Sequence, residues 1–308
     1  VEDIMNTLGI RHVLAPTDLG EAGVAALKYA RLFADRTKAR LTVLYCDPII
    51  FPADAIGPSA AMLFVPTPEQ EADMKAAVKK HADPWMKGRP YDAVVNTGAP
   101  VPLILRASEE LGADLIVMGT HARHGWRRAI LGSVSEGVLH GSRCPVLTVQ
   151  NHKLPALDGR VTVTKIVCPI NFTDVARDAL RYATRIASEF NAELIVVHVV
   201  EPDLETDVAQ NAERLRQWAG TDVEGLFSYR ELVLRGGAAE RVLDAVDDAG
   251  ADLLIIGAQH RLFRDATVVG TTTERLVRFA SCPVLVVARE AATGEKTIVD
   301  EPAAVYSL

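Results

Sequence analysis

Two long stretches of this 308-residue chain are written twice. RHVLAPTDLGEAGVAALKYARLFADRTKARLTVLYCDP, residues 11–48, is echoed by TKIVCPINFTDVARDALRYATRIASEFNAELIVVHVVEP, residues 164–202. LGADLIVMGTHARHGWRRAILGSVSEGVLHGSRCPVLTV, residues 111–149, is echoed by AGADLLIIGAQHRLFRDATVVGTTTERLVRFASCPVLVV, residues 249–287. Gly119 answers to Gly257, Gly132 to Gly270 and Cys144 to Cys282 at one constant offset. Pro16 answers to Pro169 at a longer one, so the first copy carries extra residues in between, around the Pro-rich FPADAIGPSAAMLFVPTPEQ. A repeat of this length requires two copies of one domain. The expected boundaries are 1–152 and 160–290, with a linker near NHKLPALDGR and a C-terminal extension over 291–308 that lacks periodicity.

Within the first copy, HVLAP, LTVLYC, DAVVNT, DLIVMG and PVLTV are short, continuous apolar runs. Continuous runs, rather than alternating ones, mark strands buried on both faces. EAGVAALKYARLFADRT, PEQEADMKAAVKKHADPWMKG, VPLILRASEELG and VSEGVLH read as helices between them. The second of these is acidic at its start and basic at its end, as the helix dipole favours. Alternation of strand and helix predicts α/β domains, each a doubly wound, open, parallel five-stranded sheet with right-handed crossovers.

Composition removes several classes. Net charge is −7, which argues against a nucleic-acid partner. No apolar run is long enough to span a bilayer, and the opening VEDIMNTLGIRHV is acidic rather than signal-like, so neither membrane nor export is expected. Cys46, Cys144, Cys168 and Cys282 lie far apart with no CxxC pair, which disfavours a disulfide framework or a zinc knuckle and fits a reducing cytoplasm.

Ligands of open parallel sheets bind beyond the carboxyl ends of the strands, where the strand order reverses. In the first copy that places interest on Pro16-Thr17-Asp18 and on the segment from Gly119. Gly119 allows close approach to the backbone, and Ala122 is small. Gly132-Ser133-Val134-Ser135 opens an apolar helix, whose free N–H groups and hydroxyls form a cradle for phosphate oxygens. Arg123, Arg127 and Arg128 could add charge-assisted bonds, or remain solvated. Asp18 is placed to accept from ribose hydroxyls or a base amine; equally, it could form a turn or cap the first helix. His121 and His124 form an HxxH without a partner ligand, and Cys144 and Cys282 read as packing residues. Neither a Walker lysine motif nor GxGxxG is present.

Each copy resembles the universal stress protein domain, whose ATP-binding members carry G-x2-G-x9-G-[ST] after strand four and an aspartate after strand one. Copy one matches at Gly119, Gly132 and Ser133, with Ala122 in place of the second glycine. Copy two matches at Gly257, Gly270 and Thr271, but His260 replaces the second glycine and Asn171 stands where copy one has Asp18. The resemblance implies a Rossmann-like strand order of 3-2-1-4-5 and final strands meeting across a pseudo-two-fold axis. One chain would then mimic a dimer, and a homodimer of such chains is also compatible with it. It further implies a cytoplasmic stress-response protein that binds ATP (or AMP or ADP, with Mg2+ as an optional companion) as a signal. The implied contacts are Thr17, Asp18, Val43, Met118, Gly119, His121, Ala122, Gly132, Ser133, Val134 and Ser135. Ser133 and Ser135 would serve phosphates, Asp18 and Val43 the nucleoside. A second site would use Gly257, Gly270 and Thr271. Hydrolysis should be slow at most, since no general base is identifiable. The alternatives are a scaffold with degenerate pockets and a true ATP-using enzyme.

Overall fold

The computed structural model describes residues 8–48, 66–120, 131–150, 161–201, 208–258 and 271–288. The first half runs β1 (His12–Thr17), α1 (Glu21–Thr37), β2 (Arg40–Asp47), α2 (Pro68–Met86), β3 (Asp92–Thr97), α3 (Pro100–Glu110), β4 (Leu115–Thr120), α4 (Ser133–Gly141) and β5 (Val146–Gln150). The second half repeats it: β6 (Lys165–Ile170), α5 (Asp174–Phe190), β7 (Glu193–Val200), α6 (Val208–Ala219), β8 (Tyr229–Arg235), α7 (Ala238–Ala249), β9 (Leu253–Gly257), α8 (Thr271–Phe279) and β10 (Val284–Val287). A 3-10 turn, Gly220–Asp222, follows α6.

The two expected five-stranded sheets join into one of ten strands, ordered β3-β2-β1-β4-β5-β10-β9-β6-β7-β8. All pairings are parallel except β5 with β10. An exposed final strand would leave its backbone groups unpaired; pairing the two copies' last strands removes both edges. Leu147 faces Leu285, its own counterpart, with Val146 and Thr148 opposite Val286 and Val284, so the pseudo-two-fold axis passes between the leucines. The Thr148 hydroxyl donates to Val284 O at 3.0 Å, and the Gln150 amide donates to Val277 O at 2.7 Å.

Helices α1, α2, α5 and α6 cover one face of the sheet, around a core that includes Val13, Phe33, Val43, Leu180 and Leu215. Helices α3, α4, α7 and α8 cover the other, around Leu14, Met118, Val138, Val246 and Leu276. Helix α5 buries Ala176, Ala179, Leu180, Ala183, Ile186, Ala187 and Phe190, a three-and-four spacing that keeps one stripe inward. Helix α2 starts with a capping box between Thr67 and Gln70 and carries Glu69 and Glu71 in its first turn. Its last turn holds no basic residue, contrary to the charge pattern expected: Lys79 and Lys80 fall short of it, and Lys87 sits beyond the end as a left-handed C-cap.

The repeated Ala-Asp-Leu has a structural explanation. Asp114 accepts from the backbone N–H groups of Arg11 and His12 at 2.7 and 3.0 Å, and Asp252 from Thr164 and Lys165 at 2.8 and 3.1 Å. Each carboxylate pins the start of its domain's first strand. In both halves that strand then leaves through a non-glycine residue in the left-handed region, Leu19 at φ 60° and Phe172 at φ 59°. Each such residue costs about 1–2 kcal/mol, which the surrounding packing must offset.

Candidate functional site

Strand order reverses between β1 and β4, whose neighbours point their connections to opposite faces of the sheet. At the end of β1, Thr17 is buried and its hydroxyl accepts from Leu19 N at 3.1 Å. Asp18 is exposed, and its Oδ1 accepts from Gly20 N at 3.0 Å. The turn-forming role weighed for Asp18 is therefore realised. The carboxylate still faces solvent at the head of the crevice.

Helix α4 begins after Gly132, an extended N-cap (φ −66°, ψ 146°) that supplies no side-chain cap. Among the described residues the N-cap gives the first-turn N–H groups of α4 no side-chain partner, so this end carries the partial positive charge of the helix. Ser133 is exposed there and Val134 half-buried. Ser135 is occupied elsewhere, being 1% exposed with its hydroxyl donating to Gly119 O at 3.1 Å. That bond ties the first turn of α4 to the end of β4. The expectation that Ser135 serves a phosphate through its hydroxyl is corrected accordingly; what it offers the crevice is the placement of the helix.

Two further expected contacts have side chains buried in the core. Val43 is fully buried in the middle of β2, opposite Ala15 and Ala93, in the core under α1 and α2. It cannot face a nucleoside. The β1–β2 register pairs Thr17 with Tyr45, so the residues at the mouth are Tyr45, Cys46 and Asp47. Counting to the end of the run LTVLYC would have found them. Cys46 is nearly buried, and desolvation pushes its thiol up to about 11, which leaves it a packing group rather than a nucleophile. Met118 is also buried, on the α3–α4 side. Of the expected contacts, Thr17 and Asp18 share the turn after β1, and Ser135 of α4 is joined to Gly119 of β4; Gly132, Ser133 and Val134 form the start of α4. His121, Ala122, His124, Arg123, Arg127 and Arg128 lie outside the described residues, as do His260 and Gly270.

The matching corner of the second half is built differently. Ile170 replaces Thr17 and is buried. Asn171 is exposed, with its Oδ1 accepting from the Thr173 hydroxyl at 2.7 Å. Phe172 lies against His198 (centroids 4.4 Å apart) and edge-on to Trp218 (5.7 Å). The Arg214 guanidinium covers the Phe172 ring at 4.0 Å, and Arg177 covers Trp218 at 4.1 Å. Asp222, 11% exposed, accepts from both Arg177 at 2.5 Å and Arg181 at 3.0 Å. His198 Nδ1 meets Ile170 O at 3.1 Å, and burial lowers its pKa, so the ring packs as a neutral group. Gly257, at the end of β9, is explained by packing alone: a Cβ there would stand 2.5 Å from Val175 O. Thr271 is exposed at the start of α8.

A fold of two fused Rossmann-like halves, with an acidic turn after the first strand and a glycine-led helix start after the fourth in one of them, defines a class that the comparisons identify. The model of the universal stress protein family matches residues 9–150 and again 162–288, and this chain belongs to that family as a tandem two-domain member. Universal stress protein MJ0531 of Methanocaldococcus jannaschii is 31% identical over 147 residues, 46% of this chain and 84% of that protein. Universal stress protein Rv2005c of Mycobacterium tuberculosis is 28% identical over 200 residues, 61% of this chain and 65% of that protein. Among solved structures, a universal stress protein from Archaeoglobus fulgidus superposes with a TM-score of 0.71 at 23% identity, covering 91% of this chain and 99% of its own, a likeness of fold. Among the described residues no helix is long and apolar enough to cross a membrane.

Proposed function

We propose that this chain is a cytoplasmic stress-response protein whose N-terminal domain binds ATP, or AMP or ADP, as a signal. The observation that carries this reading is the start of α4: its N-cap Gly132 supplies no side-chain cap, and the Ser135–Gly119 bond bolts it to the end of β4. In this reading the first-turn N–H groups and the Ser133 hydroxyl receive phosphate oxygens, and Asp18 accepts from the ribose. The spacing Gly119, Gly132, Ser133 supports it by its likeness to the family's nucleotide-binding pattern. The described residues contain no group of three His, Cys, Asp or Glu side chains able to hold a metal, so Mg2+ would arrive with the phosphates. Turnover is slow at most, because the crevice carboxylate is committed to the turn of Gly20 and is poorly placed to act as a base.

A second reading applies to the C-terminal domain. The ring-and-guanidinium stack beside Asn171 favours a nucleotide-independent role there, with the domain as a structural partner for the first. Two measurements test both readings. Mass spectrometry of small molecules released on denaturing freshly purified protein should find an adenine nucleotide. Calorimetry on nucleotide-stripped protein should then show ATP binding; no heat with ATP, ADP or AMP would refute the first reading and extend the second to the whole chain.

A further inference from the structure

The turn that carries Asp18 comes close to α2 over Gly23, where only a glycine fits without a shift. A Cβ on Gly23 would lie 2.6 Å from Thr17 Oγ1, 3.5 Å from Asp18 Oδ1 and 3.6 Å from His81 Nε2. Three polar atoms, from the end of β1, the following turn and the middle of α2, converge on one point over the first turn of α1. His81 Nε2 is buried and has no hydrogen-bond partner among the described protein atoms. Leaving such a nitrogen unmatched is costly, and buried polar atoms of this kind are commonly satisfied by a water that makes two to four bonds.

We propose that His81 is a positioning residue for Asp18, holding its carboxylate through one water seated over Gly23 and shared with Thr17. The consequence for function rests on the reading of Asp18 as the ribose contact. Thr17 Oγ1 already accepts from Leu19 N, and its hydroxyl proton remains to be donated; Asp18 Oδ1 accepts from Gly20 N. The water would tie these two to the imidazole and fix the carboxylate before ligand arrives, which lowers the ordering cost of binding. Burial lowers the His81 pKa below its ordinary value, and the nearby Asp18 opposes that shift. Three other ionisable groups on the elements packed around α2 have contacts of their own, while Arg31 Nε of α1 is buried without a hydrogen-bond partner among the described atoms. Lys28 of α1 rests 4.5 Å over the Trp85 ring, Tyr45 of β2 donates to Asp47, and Tyr91 before β3 donates to Asp83. As pH falls through the His81 pKa, the ring gains a proton and draws the Asp18 carboxylate inward, out of the crevice. Nucleotide affinity should fall with it.

The test has two arms. In ligand-free protein carrying 15N-labelled histidine, NMR titration follows the His81 ring, assigned by its loss in His81→Gln. It should titrate at lower pH in Asp18→Asn than in wild type; an unmoved titration overturns the proposal. In calorimetry at pH 7.5, His81→Phe should weaken ATP about fivefold, while His81→Gln, which keeps a donor, stays within about twofold of wild type. Equal affinity in His81→Phe and wild type also overturns it. Failure of wild type to bind ATP, with the NMR shift intact, refutes the nucleotide reading and leaves the His81–Asp18 linkage standing. ATP binding with an unmoved histidine refutes the linkage alone.

Discussion

The turn after the first strand reads Thr17-Asp18-Leu19 in the N-terminal half and Ile170-Asn171-Phe172 in the C-terminal half. The backbone is the same in both, down to the left-handed third residue. The side chains divide the labour. In the first half a hydroxyl, a carboxylate and a half-buried imidazole converge over Gly23. In the second, Ala176 stands at that helix position, and Phe172, His198, Trp218 and Arg214 close the corner with their own contacts. Duplication has kept one scaffold and let polar atoms face the crevice in one copy, while the other uses the same position for packing. Fold and site are separable here: every strand of one half has its partner in the other, but the chemistry does not.

Variants can break this contrast. The seam comes first, because it holds the halves in one sheet. Leu285→Ala removes a fully buried side chain at the pseudo-two-fold axis and should cost about 3 kcal/mol of stability, read from urea unfolding. Phe172→Ala should cost about 2 kcal/mol, because it strips the stack from Arg214, His198 and Trp218, and should leave ATP binding unchanged. A carboxylate at the exposed helix starts separates the two crevices directly. Ser133→Glu should weaken ATP about tenfold by repelling phosphate, whereas Thr271→Glu, its counterpart, should not alter affinity; calorimetry reads both. The smallest effect is expected from exchanging the turn residues. Asp18→Asn should weaken ATP about fivefold, at least as much as His81→Phe, and Asn171→Asp should create no second site, because the neighbouring rings stay where they are.

Much of the architecture was legible because strands buried on both faces leave continuous apolar runs and because each run occurs twice. LTVLYC and LIVVHV, or PVLTV and PVLVV, announce the same element at the same place. The pairing of β5 with β10 was legible only through the resemblance to a family, since nothing local in CPVLTV says which strand lies beside it. The site was legible where glycine and serine spacing reports backbone shape, as at Gly132-Ser133. It was not legible where the answer depends on register. Val43 and Cys46 are three residues apart in one apolar run, and the pairing with β1 decides which of them reaches the mouth. His81 is the harder case. It lies on a helix far along the chain from Asp18, and only the tertiary fold brings it over Gly23. Ser135 shows the converse, a hydroxyl in a phosphate-binding position whose proton is already given to Gly119.

Native mass spectrometry of nucleotide-stripped protein titrated with ATP tests the asymmetry between the halves most directly. At most one ATP per chain in all three proteins, with half-occupancy reached at about tenfold higher ATP in Ser133→Glu and at the wild-type concentration in Thr271→Glu, is the result expected. Two per chain, or a half-occupancy unmoved in Ser133→Glu and raised in Thr271→Glu, would contradict it.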